Sequence, residues 1–472
     1  LRDARAFPFF VWPIIVLASN VISGSVAHAE RPLLMPISGK SFHASLAEID
    51  ANGRLTFQTE QQPYTIPTAD LVSWGRCPEQ GRAGGLVLSD GSWLAAEPIS
   101  ADAKTMTVSS DVFGTLKIPL DAIAGVVFQS SSNPSQRDKM YDRIFPVSLA
   151  EGQGARAASS AIEVGAANEP RPTNGRSENG PMTLNGRFIR QANINSLLLD
   201  NGDELTGKFL TLTDTVAKFE AEVGPIDVKT NRIVALILQP THPKFESRTW
   251  AGFNDGSRLL VSQLLTKNDH LHATSAGQSF VAPLKSLVFL QPLDGRAVYL
   301  SDLQPTEYEQ TPYLNLTWPY RNDRNVTGGL LRSDGRLFLK GLGVHSAARL
   351  VYDVSGERTG EKDSHVSLTQ GQSKTGSPFP LGEGQGVRAV RAPTLFQAEL
   401  AIDDSAASGS VQFRVLVDGV ERYTSPVIRG GQPPVPISVN IRSAKKLELI
   451  VDYADRADVL DHADWLNARL TK

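Results

Sequence analysis

Val411-Gln412-Phe413-Arg414-Val415-Leu416-Val417-Asp418-Gly419 alternates apolar and polar side chains and then stops on Asp-Gly. Alternation with a period of two marks a half-buried strand, and Asp-Gly is a strong hairpin signal. Runs of the same kind lie on both sides of it. Upstream are Arg336-Leu337-Phe338-Leu339, Ala348-Arg349-Leu350-Val351-Tyr352 and Phe396-Gln397-Ala398-Glu399-Leu400-Ala401-Ile402; downstream are Ile437-Ser438-Val439-Asn440-Ile441 and Leu447-Glu448-Leu449-Ile450-Val451. Short strands in succession, without a helical period, predict an antiparallel β-sandwich over the last third of the chain.

Three islands sit among these strands: Lys340-Gly341-Leu342-Gly343-Val344-His345-Ser346, Ile402-Asp403-Asp404-Ser405 and Asp461-His462-Ala463-Asp464-Trp465. In that order they resemble the NPCBM family of carbohydrate-binding modules, over residues 297–472. The resemblance implies a galactose-binding-domain-like jelly roll whose partner is a glycan or polysaccharide. Sugars are held by an aromatic ring against their apolar face and by a few polar side chains on their hydroxyls. Trp318, Tyr320 and Trp465 are the candidate platforms; His345, Asp403, Asp404, Arg414, His462 and Asp464 are the candidate polar contacts. Each has a structural alternative: a Trp near a domain terminus closes a sandwich, and buried His and Asp satisfy backbone groups. No cofactor is expected, with Asp403, Asp404 and Asp418 as the alternative of a structural calcium site. A stretch dense in Gly, Ser, Gln and Lys, 356–393, departs from the family pattern and reads as a disordered surface insertion.

The first 300 or so residues carry a repeat. Ser38-Gly39-Lys40, Asp90-Gly91-Ser92, Asn201-Gly202-Asp203 and Asp255-Gly256-Ser257 are turn segments. A second landmark follows each glycine after 27 or 28 positions: Pro67, Pro119, Lys229 and Pro283 (67−39, 119−91, 229−202, 283−256). Apolar strands such as Val234-Ala235-Leu236-Ile237-Leu238 come next. Four units of about 50 residues, alternating apolar and polar, predict small SH3-like or Sm-like β-barrels in two pairs, 30–131 and 186–296. A β-propeller is the competing architecture. Between the pairs, 132–185 reads as a flexible linker, with a short helix or strand in its first part.

At 472 residues with 41% hydrophobic and 21% charged, the composition is that of a multidomain globular protein. A net charge of −3 without a basic stripe excludes a dedicated nucleic-acid binder. The single cysteine, Cys77, allows no internal disulfide and is expected to be a structural thiol. Arg2 and Arg5 precede an apolar run, 6–22, and then Ala27-His28-Ala29. This reads as a secretory signal, 1–29, with no membrane span once it is cut, and the protein is expected to be secreted, periplasmic or in the cell envelope. A membrane anchor is the rival reading.

No nucleophile elbow, zinc-protease motif, phosphate loop or cysteine pair is present, so the expectation is a non-catalytic binder. The alternatives are a glycan-active hydrolase with its site in the repeats and a structural envelope protein that contacts protein and binds no sugar.

Overall fold

The computed structural model describes residues 31–80, 84–146, 183–184, 187–188, 195–238, 249–313, 316–356 and 393–472. The expected signal, most of the expected linker and the expected insertion lie outside these residues. What is described is an all-β architecture apart from one α-helix, α1 (Pro134–Ile144), in the first part of the segment read as a linker. Among the described residues no helix is long and apolar enough to cross a membrane.

Each repeat folds in the same way. Repeat 1 occupies 33–75, repeat 2 85–127, repeat 3 195–237 and repeat 4 249–292. In each, the first strand pairs with the last, as Leu34↔Trp74, Leu86↔Val126, Leu197↔Leu236 and Ala251↔Leu290 show. The glycine of each turn, Gly39, Gly91, Gly202 and Gly256, has φ between 87° and 91°, which disfavours any side chain. The second landmark opens a 3-10 turn before the final strand: Thr68–Asp70, Leu120–Ala122, Thr230–Arg232 and Leu284–Ser286. Proline presets the φ that this entry needs. Lys229 reaches the same value, −62°, without the ring.

The four repeats pair in the sheet otherwise than expected: repeat 2 joins repeat 3 and repeat 4 joins repeat 1, rather than 1 with 2 and 3 with 4. The final strands of repeats 2 and 3 pair antiparallel, Val126↔Leu236, and those of repeats 4 and 1 pair likewise, Leu290↔Trp74. Counting from the 3-10 turns, these are equivalent positions. The pairs then meet through repeats 2 and 4, where Trp93 lies opposite Arg258, again at equivalent positions. Ser92 Oγ accepts from Leu260 N at 2.7 Å, and Ser257 Oγ accepts from Ala95 N at 2.9 Å. Asp90 accepts from Ser275 Oγ and Asp255 accepts from Ser110 Oγ in the same reciprocal fashion. A pseudo-twofold axis therefore exchanges repeats 2 and 4, and with them 3 and 1. Seventeen strands join in one sheet. One apolar core, including Leu55, Met106, Phe219 and Phe280, runs through all four repeats.

Two apolar surfaces remain on the outside of the pairs. Helix α1 covers the one over repeats 2 and 3. Asn133 caps its first turn, Pro134 begins it, and Met140, Tyr141 and Ile144 pack on Val87, Trp93, Ala235 and Ile237. The C-terminal sandwich covers the one over repeats 1 and 4. Its Leu337 packs with Cys77 and Phe289, and the backbones of Cys77 and Leu337 form a bridge.

The sandwich is the expected jelly roll, two antiparallel six-stranded sheets around a core containing Tyr352, Phe396, Phe413 and Trp465. In the first sheet Gly341–His345 pairs with the last strand, His462–Thr471, which in turn pairs with Leu395–Ile402. In the second, Ala348–Asp353, Lys446–Tyr453 and Ser410–Val417 lie side by side. His462–Thr471 is buried along its whole length, polar residues included. One of its faces closes the core. Towards the repeats, Asn467 accepts from Gln291 at 3.2 Å and Arg469 reaches Met35 Sδ at 3.1 Å.

Candidate functional site

His345 and His462 end adjacent strands and face one another in register. Their ring centroids are 5.9 Å apart. Trp318 lies flat on His345, with centroids 4.9 Å apart and planes within 3°, and its centroid is 6.0 Å from that of His462. Both histidines are buried, at 3% and 7% exposure, whereas Trp318 is half-buried.

The strand Glu307–Gln310 holds this tryptophan. Gln310 Oε1 accepts from Trp318 N at 3.2 Å, Gln310 Nε2 donates to Ser346 O at 3.1 Å, and Tyr308 Oη donates to Trp318 O. His345 Nδ1 lies 2.9 Å from Ser346 O. Ser346 Oγ donates to Asp461 Oδ2 at 2.7 Å, and Asp461 Oδ1 accepts from Ser410 N at 3.0 Å. On the open side, Ser405 Oγ is 3.5 Å from His462 Nδ1. Leu316 and Leu460, each two residues before a ring of the cluster, are exposed, as are Tyr313 and Tyr453, which meet edge to face at 6.1 Å.

Burial, and secondarily the neighbouring His345, hold the His462 imidazole below its ordinary 6.5. It is therefore neutral at pH 7, with one ring nitrogen to donate and one to accept. Burial pushes the Asp461 carboxyl up, against its hydrogen bonds from Ser346 and Ser410. The cluster thus sets stacked and tilted rings beside the hydroxyls of Ser346 and Ser405.

The other sequence candidates lie elsewhere, and their surroundings correct their expected roles. Trp465 is fully buried between Phe396 and Phe413, and Tyr320 is also a core residue, so neither ring is open to a sugar. Asp403 caps the 3-10 turn Asp404–Ala406 through Ser405 N and also accepts from Asn325 Nδ2 and Arg332 N. Asp404 accepts from Asp334 N and Gly335 N, at the tip of a hairpin. Asp464 is fully buried; burial and then the charge of Asp403 push its carboxyl well above the usual range. Arg414 pairs with Asp452 at 2.6 Å and Glu421 at 3.4 Å on the second sheet. Asp418 accepts from Lys445 N and Lys446 N in a further hairpin, so the carboxylates of the calcium alternative serve three different loops. Among the described residues no group of three or more His, Cys, Asp or Glu side chains is placed to hold a metal ion.

Gln310, Tyr308, Ser346, Ser405 and Asp461 were not candidates in the sequence. Asp461 stands in the last island beside His462, and that adjacency was its only visible signal. The second glycine of the first island has a packing reason. A Cβ on Gly343 would come within 2.3 Å of Arg324 O.

Residues 296–377 and 389–471 match the family model described as the NPCBM/NEW2 domain. The chain carries an NPCBM/NEW2 domain at its C-terminal end. The Trp318–His345–His462 cluster lies within this domain. A Renibacterium salmoninarum protein named "Putative endo-alpha-N-acetylgalactosaminidase" is 37% identical over 75 residues, which are 16% of this chain and 5% of that protein. Among solved structures, the CBM51-2 and INT domains from Clostridium perfringens ZmpB align at 23% identity and a TM-score of 0.28, covering 48% of this chain and 40% of that one. The CBM51 from Clostridium perfringens GH95, solved with methyl-galactose, aligns at 19% identity and a TM-score of 0.27, covering 37% of this chain and 99% of that one. Neither alignment transfers residue roles to the NPCBM/NEW2 domain of this chain.

Proposed function

We propose that this protein is an exported, non-catalytic carbohydrate binder whose NPCBM/NEW2 domain holds a sugar at the Trp318–His345–His462 cluster. The observation that carries the reading is the stacked Trp318–His345 pair, of which Trp318 is only half-buried, beside ring nitrogens and hydroxyls that can donate and accept. A pyranose offers an apolar ring face and a periphery of neutral hydroxyls, the complement of such a surface. The family description and the CBM titles of the aligned structures agree with it. The repeat body would serve as spacer or protein-contact surface at a bacterial envelope.

The test is a glycan array probed with the full chain and with Trp318→Ala. Binding by the wild type that Trp318→Ala abolishes, with an unchanged thermal midpoint, is the expected result. No binder across a broad panel, or equal binding by the variant, would overturn it. Release of reducing ends from polysaccharide by the wild-type chain would overturn the non-catalytic part.

A further inference from the structure

Helix α1 belongs to the repeat half in sequence, yet its polar side reaches residues 324–332 of the NPCBM/NEW2 domain. Asp138 is 5% exposed and is surrounded by residues of the NPCBM/NEW2 domain. Its Oδ2 accepts from Leu330 N at 2.8 Å and from Arg332 Nη1 at 2.6 Å, and its Oδ1 accepts from Arg332 Nη2 at 3.0 Å. This is the two-pronged carboxylate–guanidinium geometry that fixes orientation as well as distance. Glu79, from the segment between repeats 1 and 2, holds the same guanidinium through Nε at 2.6 Å. One turn further along α1, Asp142 pairs with Arg324 at 3.1 Å.

From Arg332 the connection continues inward. Arg332 N donates to Asp403 Oδ2, and Asn325 Nδ2 donates to Asp403 Oδ1 at 3.0 Å. Asp403 in turn caps Ser405 N, and its own backbone N–H donates to His462 O at 2.9 Å. Ser405 Oγ is the hydroxyl beside His462 Nδ1. Every link from α1 to the imidazole is thus a hydrogen bond, and most of the groups are withdrawn from water.

We infer that Asp138 is a positioning residue for the sugar cluster: by clamping Arg332 it sets the loop that places Asp403, Ser405 and His462. The inference rests on the function proposed above. It makes the repeat half a structural part of the binding site, although the rings of the cluster all belong to the NPCBM/NEW2 domain. A ligand that tightens His462 and Ser405 must then also tighten the joint between the halves, because coupling between two sites is reciprocal.

The experiment compares the full wild-type chain with Asp138→Asn, Arg332→Lys and, as control on the same helix, Arg143→Ala, which removes an exposed pair with Glu204 of repeat 3. Asp138→Asn keeps the shape and removes the charge; Arg332→Lys keeps the charge and removes the fork. Two quantities are read: affinity for the best glycan of the array, and the His462 imidazole resonances through a pH titration. Affinity falling about fivefold or more in both variants, with displaced His462 resonances and an unaffected control, is the expected result. A lowered thermal midpoint with affinity and His462 resonances unchanged would overturn the inference. If the wild type binds no glycan, the proposed function fails; the inference is then decided by the resonances alone, and unmoved signals in both variants would overturn it. Arg332→Lys decides the matter if Asp138→Asn fails to fold.

Discussion

Ser92→Ala and Ser257→Ala probe the joint on which the repeat assembly turns. Both serines are fully buried. The first hydroxyl accepts the Leu260 amide at 2.7 Å and lies 3.0 Å from Ser275 Oγ; the second accepts the Ala95 amide at 2.9 Å. Alanine removes the acceptor and leaves a backbone N–H in a dry interior. That costs about 1–3 kcal/mol for each substitution. The pseudo-twofold relation requires the two penalties to be similar, with Ser92 the larger by whatever its contact with Ser275 contributes. Because the sites adjoin across one interface, the double variant should depart from the sum of the singles. Urea unfolding followed by tryptophan fluorescence should show a lower midpoint for the repeat body as a whole, with an unchanged slope. A penalty below about 0.5 kcal/mol in either single variant, the range of ordinary surface substitutions, would refute the reasoning. So would a separate transition in which only one repeat responds.

Three other outcomes follow from the geometry. Gly75→Ala places a Cβ 1.8 Å from Val288 O at a φ of +79°; it should cost about 1–2 kcal/mol for the backbone and about 1–3 kcal/mol for the clash. Gly114→Ala, at +69° with nothing within 4 Å, should show the backbone part alone, and equal melting of the two variants would refute the claim. Burial pushes the Cys77 thiol up to about 12, so native protein at pH 8 should resist a thiol reagent that labels it at once in denaturant; rapid native labelling would contradict the packing at Leu337. His462 is depressed in the folded state, so its contribution to stability is complete above pH 6.5 and is lost as pH falls through the lower folded value. The thermal midpoint of His462→Gln should therefore fall less steeply than that of the wild type on acidification, and parallel curves would count against it.

The sequence made the local devices visible and hid the long-range ones. The turn glycines and the prolines entering the 3-10 turns announce themselves because each answers a backbone requirement of its own residue. Strand alternation likewise exposed the sandwich. Which repeat pairs with which is decided at strand edges, and edge pairing uses backbone groups that every residue carries, so nothing in the side chains marked repeat 4 as the partner of repeat 1. The site shows the same division. Trp318, His345 and His462 stood among the candidates by residue type, but nothing in the sequence showed that they would meet. For Asp464 and Trp465 the structural alternative holds, because the strand His462–Thr471 has no solvent face: Trp465 closes the sandwich core and Asp464 is buried beside Asp403, while Asn467 and Arg469 are covered by the repeats, which local alternation does not reveal. Asp138 and Asp142, four apart on one face of α1, were an available hint of an acidic stripe awaiting arginines, obscured by their place in a segment read as a linker.

The order of pairing is nested: the inner repeats, 2 and 3, bond to each other, and the outer ones, 4 and 1, close around them. During synthesis repeat 2 must wait for repeat 3, but repeat 1 must wait for nearly the whole repeat region to leave the ribosome. Its final strand, Leu71–Gly75, is meanwhile an unprotected sheet edge ready to capture another chain. Production at high concentration should therefore fail first by aggregation through repeat 1, and a chain interrupted before repeat 4 should be far less soluble than one that ends just after it.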